Sequence, residues 1–521
     1  MPTPADSPAR RTTPAPYPRA VLDLLEEAGH RPVFEHGTRV VTGADMLGLI
    51  RRISSGLRLA GVRPGDGLAL LLGVNPEALA TILAGHVVGA RVVGVRAGLP
   101  DGQLRHVLGQ DIAAVVTDRP ATVRPTIGSR TIGSPTAGAA AQLSVTGLLV
   151  TGRDGGENAA SVRLSGRSGD VARLTHTSGS TGLPKACAQT YAALGAAWTA
   201  RPAAWPPAIR ELASRLQRFL VFGSLGSQVM MEYGVLTLAA GGTLVVADPP
   251  AMPEAIVRHR ATASVMTVAR LYRLVADQRR APADLSTLRA LMVSGSPLEP
   301  ARLREALDVL GPVVFHGYGQ TEAGTISMAT PFDVPGSVGF PPEAVDVQVR
   351  ASDGTPLPAG ESGELFVRTP AQAVGYWADP AQTAEVFTDG WVRTRDLGHL
   401  DADGRLYLSG RTRDVIIVNA GLHYAGPIER LLATHPDVAE AYVVGAPDEN
   451  TGEAVHAFVV PVAGRDPDPA ALRTLVTTHL GADCAPATIT TIDEAPLAPS
   501  GKPDKRLLRP THAQPTGVGP A

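Results

Sequence analysis

The sequence predicts an α/β fold: a large N-terminal domain of mixed, partly parallel sheets with covering helices, followed by a small α+β domain. Three observations carry this. Strand and helix patterns alternate over residues 20–110 and again over 242–316, the βαβ rhythm of a parallel sheet. From about residue 345 the segments shorten and are separated by turn pairs, the mark of antiparallel hairpins. Beyond Gly410 a new strand–helix–strand–strand–helix run begins. The expected layout is a disordered lead-in (1–18), an N-terminal domain (19–410), a C-terminal domain (411–510) and a disordered tail (511–521). A chain of 521 residues is too long for one ordinary core.

In order, Asp45 to Leu59 has apolar residues at helical spacing, Gly67 to Leu72 reads as a buried strand, Pro76 to Val88 as a helix and Arg91 to Val95 as a strand. Ala121 to Asn158 is rich in Gly, Thr and Ser and reads as loops and edge structure. Val171 to Leu174 is a short apolar run, and a helix-like segment is expected after Pro184-Lys185. Strands follow at Gly242–Ala247, Ala263–Val268, Leu288–Val293 and Gly311–Phe315, the last ending at His316. Helices fall at Pro253–His259 and Ala269–Asp277. Ser296 and Glu299 have the spacing of a capping box opening a helix to Leu310. Turns are expected at Asp353-Gly354, Ala359-Gly360, Asp389-Gly390 and Asp403-Gly404. In the small domain the strands are Val415–Val418, Ala439–Val444 and Ala454–Val460, and the helices Pro427–Thr434 and Pro469–Leu480.

Composition excludes several classes. A formal net charge of -2 offers no basic surface for nucleic acid or acidic lipid. The longest apolar stretch, Ala78 to Val95, is broken by His86 and Arg91, so no membrane span is expected. Met1 to Pro18 lacks the apolar centre of a secretory signal. The two cysteines, Cys187 and Cys484, form no metal spacing or disulfide framework, which fits a reducing compartment, and a cytoplasmic location is expected. Cys187 is expected to pack as a small buried residue.

The chemistry concentrates first at residues 177–185, Thr-Ser-Gly-Ser-Thr-Gly-Leu-Pro-Lys. Gly179 and Gly182 let the backbone turn and present N–H groups. Thr177, Ser178, Ser180 and Thr181 add hydroxyl donors, and Lys185 adds a positive charge. Such a donor density suits a polyphosphate. The loop is not a Walker A motif, because its two glycines are only three residues apart and Pro184 precedes the lysine.

Four further stretches follow: Gly317-Tyr318-Gly319-Gln320-Thr321-Glu322-Ala323-Gly324, then Trp391-Val392-Arg393-Thr394-Arg395-Asp396-Leu397-Gly398, then Gly410-Arg411-Thr412-Arg413-Asp414, and finally Ser500-Gly501-Lys502. An aromatic between glycines can stack on a base. A Thr-Glu pair can hold a phosphate and a Mg²⁺. A turn aspartate can accept from two ribose hydroxyls. Each is an ordinary turn or charged run if taken alone. In this order, and over residues from about 20 to 508, the five resemble the adenylate-forming superfamily of acyl-CoA synthetases, peptide-synthetase adenylation domains and luciferases.

The resemblance implies a ligand site between the large domain and a mobile C-terminal domain. It implies two half-reactions: a carboxylic acid and ATP give an acyl-AMP and pyrophosphate, then the acyl group moves to an acceptor. Thr177 to Lys185 would embrace the β- and γ-phosphates. Tyr318 would stack on adenine, with Gln320 beside it at the nucleotide. Thr321 would contact the α-phosphate, and Glu322, with Thr177, would bind Mg²⁺. Asp396 and Arg411 would hold the ribose. Lys502 would bridge the attacking carboxylate and the α-phosphate. Arg413 matches the position of the domain hinge. CoA is the expected co-substrate.

Departures from the family pattern concern the acceptor. A glycine of the pantetheine passage is replaced at Ala420, within Val418-Asn419-Ala420-Gly421-Leu422. The family's P-x-E-[IV]-E becomes Ala425-Gly426-Pro427-Ile428-Glu429. The segment Phe222-Gly223-Ser224-Leu225-Gly226-Ser227 lacks the aromatic-His pair that gates the acyl tunnel, and His176 or His316 could replace that histidine or be a core residue. Alternatives to CoA are an amine, a carrier-protein pantetheine, or nitrite activation for diazotising an aryl amine. A nucleotide-binding scaffold is the non-enzyme alternative. Polar Ser224, Ser227 and Gln228 point to an aryl or functionalised acid, as in specialised metabolism.

Overall fold

A computed structural model describes residues 16–95, 99, 101–118, 141–152, 162–177, 184–197, 199–247, 251–295, 298–419, 421–448, 450–497 and 503–508. These form two compact units. The first draws on Met1–Thr175, Cys187–Trp205 and Gly223–Val246, and the second on His176–Ala186, Pro206–Phe222 and Ala247–Ala521.

The first unit is built on parallel strands. Gly67–Leu71 pairs with Arg91–Gly94 on one side and Ile112–Thr117 on the other; Arg91–Gly94 pairs with Val171–Thr177. Leu68, Ala69, Val92, Val93, Val115 and Val116 are all buried, as continuous apolar runs require when helices cover both faces. Thr42 and Asp45 close a reciprocal capping box at the helix Gly43–Leu59. Asn75 caps the helix Pro76–Val87, with Pro76 in the first turn.

Two expectations change here. Residues after Lys185 form a strand, Lys185–Thr190, and helix starts only at Tyr191–Ala196. Ala186, Cys187, Ala188 and Gln189 are buried in succession beside Val171–Thr177, so sheet packing overrides the helical preference of alanine. Cys187 is fully buried, as expected, but on a strand. Within the segment read as loops and edge structure, Ala141–Ser144 is indeed an edge strand, parallel to Ile112–Thr117, but Val145–Thr151 is a helix capped by Ser144.

His86 is buried in the same unit, edge-on to Tyr17 and Tyr191 at ring distances of 5.0 and 5.9 Å. Burial, reinforced by the Arg173 charge, pushes its pKa down to about 3. The unfolded chain takes up this proton near pH 6.5 and the folded chain only near pH 3, so acid favours unfolding between those values. From pH 7 to 5 this histidine alone is expected to remove about 2 kcal/mol of stability. His86→Phe should shrink the acid shift of the urea-unfolding midpoint; an unchanged shift would refute the assignment.

In the second unit four parallel strands lie in the order Val314–Gln320, Ala290–Ser294, Ala263–Thr267 and Arg218–Val221, with Gly324–Ala329 antiparallel at one edge. The strand expected to stop at His316 runs on to Gln320 because Gly324–Ala329 returns along it and pairs residues 316–320. Glu299 itself is the N-cap of Pro300–Leu310, its carboxylate accepting from the Ala301 and Arg302 amides at 2.6 and 3.1 Å. That replaces the Ser296–Glu299 box, whose serine lies outside the described residues.

An antiparallel sheet follows, ordered Asp346–Arg350, Gly363–Arg368, Trp391–Leu400 and Phe387–Thr388, with Leu406–Arg411 paired to Trp391–Leu400. Its turns fall where expected: Asp389 and Gly390 take φ of 52° and 79°, the left-handed pair of a two-residue hairpin. The C-terminal sheet is ordered Gly421–Tyr424, Val415–Val418, Gly452–Pro461 and Val438–Asp448, with Thr488–Thr491 parallel to Gly452–Pro461. Helices Ala425–Leu432 and Pro469–Leu480 bury Ile428, Leu432, Leu472 and Val476 against it.

Candidate active site

The site grows from the end of the strand Val314–Gln320. Period-two alternation puts His316, Tyr318 and Gln320 on one face. A bulge between Tyr318 and Gly319 tightens the hairpin that follows. A side chain at Gly319 would bring its Cβ within 2.5 Å of the Gly324 carbonyl, and Gly324 has φ of 78°, so both positions demand glycine.

Asp396 is the hub of one end of the site. It is 4 % exposed and lies directly across the ladder from Arg411. The Tyr318 hydroxyl donates to its Oδ2 at 2.8 Å, and Gln320 Nε2 donates to the same oxygen at 2.5 Å. Arg411 Nε donates to Oδ1 at 2.9 Å. Burial and the Asp396 charge push the Tyr318 phenol well above its ordinary pKa, so it stays a neutral donor. The same carboxylate raises the pKa of Arg411. Protein donors thus fill three of about four acceptor sites of the carboxylate. The Arg411 side chain remains 58 % exposed, so its other nitrogens face outward.

Glu322 sits in the turn between the hairpin strands. Its carbonyl accepts the Ala373 amide at 2.8 Å, and its Oε1 accepts the Tyr376 hydroxyl at 2.7 Å. Oε2 accepts no hydrogen bond among the described residues. Tyr376 also carries Lys185 Nζ over its ring at 5.4 Å, and Lys185 donates to the side-chain Oε1 of Gln382. Gln382 in turn donates to Glu385 at 2.9 Å, and Glu385 pairs with Arg395. One phenol therefore joins the lysine of the first loop to the carboxylate of the second. Sequence reasoning missed Tyr376 and Gln382. The available signal was Gly375-Tyr376-Trp377, an aromatic pair behind a glycine with φ of 155°.

Thr177 ends one strand and Lys185 opens the next. Ser178, Gly179, Ser180, Thr181 and Gly182 lie outside the described residues, as do Ala420 and Lys502. Thr321 occupies the hairpin turn beside Glu322. His316 is 7 % exposed and lines a cavity of about 350 Å³ with Glu299, Arg430 and Thr434. Ser224 Oγ accepts the Gly226 amide at 3.1 Å, and Gln228 Oε1 is buried without a partner among the described residues.

Arg413 lies in the short 3₁₀ turn Thr412–Asp414 that joins Leu406–Arg411 to the C-terminal sheet. Next to it Asp414, with Glu429, holds Lys505 Nζ at 2.8 and 2.6 Å. These carboxylates raise the Lys505 pKa against the effect of burial, while burial raises that of Glu429. Leu497 bridges Pro503, and the Asp504 amide donates to the Pro496 carbonyl at 2.7 Å, so the two flanks of residues 498–502 are drawn together. Lys505→Ala strands Glu429 and is expected to cost roughly 2 kcal/mol, below the fully buried case because Lys505 is 25 % exposed. Faster amide exchange at 503–508 would register it, and unaltered exchange would contradict it.

Residues 24–377 match the model of the AMP-binding enzyme family, and residues 427–502 that of the AMP-binding enzyme C-terminal domain. The chain belongs to the AMP-binding enzyme family. Within the family, a feruloyl-CoA synthase from an Amycolatopsis species is 32 % identical over 485 residues, 91 % of this chain and 94 % of that one. An indoleacetate–CoA ligase from Aromatoleum aromaticum is 31 % identical over 499 residues, 92 % and 94 %. The solved amide bond synthetase McbA from Marinactinospora thermotolerans is 32 % identical, with a TM-score of 0.80 over 94 % of this chain and 98 % of that one. The resemblance read from the five motifs is therefore borne out, as is the fold class. Among the described residues no helix is long and apolar enough to cross a membrane.

Proposed function

We propose that this AMP-forming ligase joins a carboxylic acid to ATP with loss of pyrophosphate, then passes the acyl group to CoA. The observation that carries the reading is the Tyr318–Asp396–Arg411 cluster, tied through one hairpin to Glu322, Tyr376 and Lys185. It offers one end suited to a nucleoside and another suited to phosphates.

In this reading Asp396 and Arg411 take the ribose hydroxyls, Tyr318 and Gln320 border the adenine, and Thr321 contacts the α-phosphate. Lys185, with Thr177 to Gly182, holds the β- and γ-phosphates. Tyr376 keeps Lys185 and Glu322 apart yet oriented to the same phosphate chain. Glu322 supplies a carboxylate oxygen for Mg²⁺, with Thr177 as the second ligand. The described residues contain no cluster of three or more acidic, His or Cys side chains for a metal, which suits an ion held largely by substrate phosphates. Bound Mg²⁺ would neutralise phosphate charge as the pyrophosphate leaves. Lys502 would stabilise the negative charge on the oxygens around the α-phosphorus.

The layout carried forward is an N-terminal domain to residue 410 and a C-terminal domain over 411–510 that turns about Arg413 between half-reactions. The similarity to the feruloyl and indoleacetate ligases supports an aryl acid and CoA. Transfer to an amine is the second reading, favoured by the similarity to McbA over 94 % of the chain. Mass spectrometry after incubation with ATP and aryl acids separates the two. A thioester formed only with CoA is expected; an amide formed without CoA would replace the first reading by the second.

A further inference from the structure

We propose that Arg270 binds a second, distal carboxylate of the acid substrate, so that the preferred substrates are aryl diacids activated at one end. This rests on the acid-activating reading above. Arg270 lies in the first turn of the helix Val268–Arg280, directly after the strand Ala263–Thr267. Its guanidinium sits over the ring of Phe222 at 4.6 Å, and Phe222 directly follows the strand Arg218–Val221. Both residues therefore stand at the carboxyl edge of the parallel strands, where open α/β sheets gather ligands. Tyr318 and Gln320 stand at the same edge, on a strand two places from Ala263–Thr267. Two strand spacings of about 4.8 Å put Arg270 roughly 10 Å along the edge from the nucleotide-facing strand, the length of an aryl acid with a para substituent.

The Arg270 side chain is exposed. Its guanidinium makes no ion pair or side-chain hydrogen bond among the described residues; the ring of Phe222 is its recorded contact, while its backbone amide donates to Thr267 at 3.4 Å. Partial desolvation, and after it the like charge of the neighbouring Arg273, lowers the Arg270 pKa. The first turn of the helix contains no acidic residue. A cation there opposes the helix dipole, at about 0.3–1 kcal/mol, whereas Arg279 and Arg280 in the last turn complement it. An anion docked on Arg270 would relieve both the dipole and the Arg273 repulsion. With the Phe222 ring on one side of it, the guanidinium keeps N–H groups that can donate to a carboxylate through two parallel bonds.

The test compares 4-carboxycinnamic acid with its ring-end methyl ester, which is one methyl larger and carries one charge fewer. Pyrophosphate release gives kcat/KM for each with the wild type, Arg270→Gln and Arg270→Lys. The wild type is expected to favour the diacid by about 10- to 100-fold. Arg270→Gln should bring the ratio close to one, and Arg270→Lys should restore part of it. A wild-type preference for the ester, or a diacid preference that Arg270→Gln leaves intact, overturns the proposal while acid activation stands. Absence of pyrophosphate release with every acid would instead overturn the functional reading beneath it.

Discussion

Lys502→Ala is expected to fold normally and to lose acyl-adenylate formation by about 100- to 1000-fold, the usual effect of deleting one group that stabilises developing charge. The expectation rests on the order of chemistry. Attack on the α-phosphorus gathers negative charge on its oxygens. In the proposed reading the cation that answers this charge is Lys502 of the terminal motif Ser500-Gly501-Lys502. The flanks at Leu497 and Pro503 are already joined, and Lys505 is tied to Asp414 and Glu429, so alanine at 502 removes a charge without loosening this base. Pyrophosphate release and a thermal melt together decide it. A wild-type rate in the variant would remove Lys502 from the mechanism.

Asp396→Ala is expected to weaken ATP binding by about 10- to 100-fold and to lower the melting temperature as well. Both effects follow from one carboxylate. Its loss leaves the buried Tyr318 hydroxyl, Gln320 Nε2 and Arg411 Nε without their acceptor. It also removes the acceptor proposed for the ribose. Asp396→Asn keeps the shape and one acceptor oxygen, so its melting temperature should fall less while its ATP affinity still drops. ATP titration by calorimetry separates the roles: a lowered melting temperature with unchanged affinity would make Asp396 a purely structural hub.

Much of this was legible in the sequence because it is written in short local patterns. The parallel strands announced themselves as buried apolar runs, and the turn at Asp389-Gly390 by residues suited to positive φ. Asp396 and Arg411 could be marked as partners by motif order, but only the register Asp396↔Arg411 makes them cross-strand neighbours. Tyr376 was not legible, since the contacts that place it in the site come from Glu322 and Lys185, 54 and 191 residues away in the chain. Lys185–Thr190 misled because Ala, Cys and Gln carry no strong strand preference; burial beside Val171–Thr177 decides their conformation. The role of Glu299 as its own cap was hidden behind the more familiar spacing of a serine three residues earlier.

The central claim is that an oxygen of the acid attacks the α-phosphorus of ATP. Supplying an aryl acid labelled with ¹⁸O in its carboxylate, together with ATP, Mg²⁺ and the acceptor, tests that bond directly. The acyl group leaves with the acceptor, and the bridging oxygen stays on phosphorus. AMP carrying one labelled oxygen is the predicted product, and unlabelled AMP or the release of ADP would contradict the account.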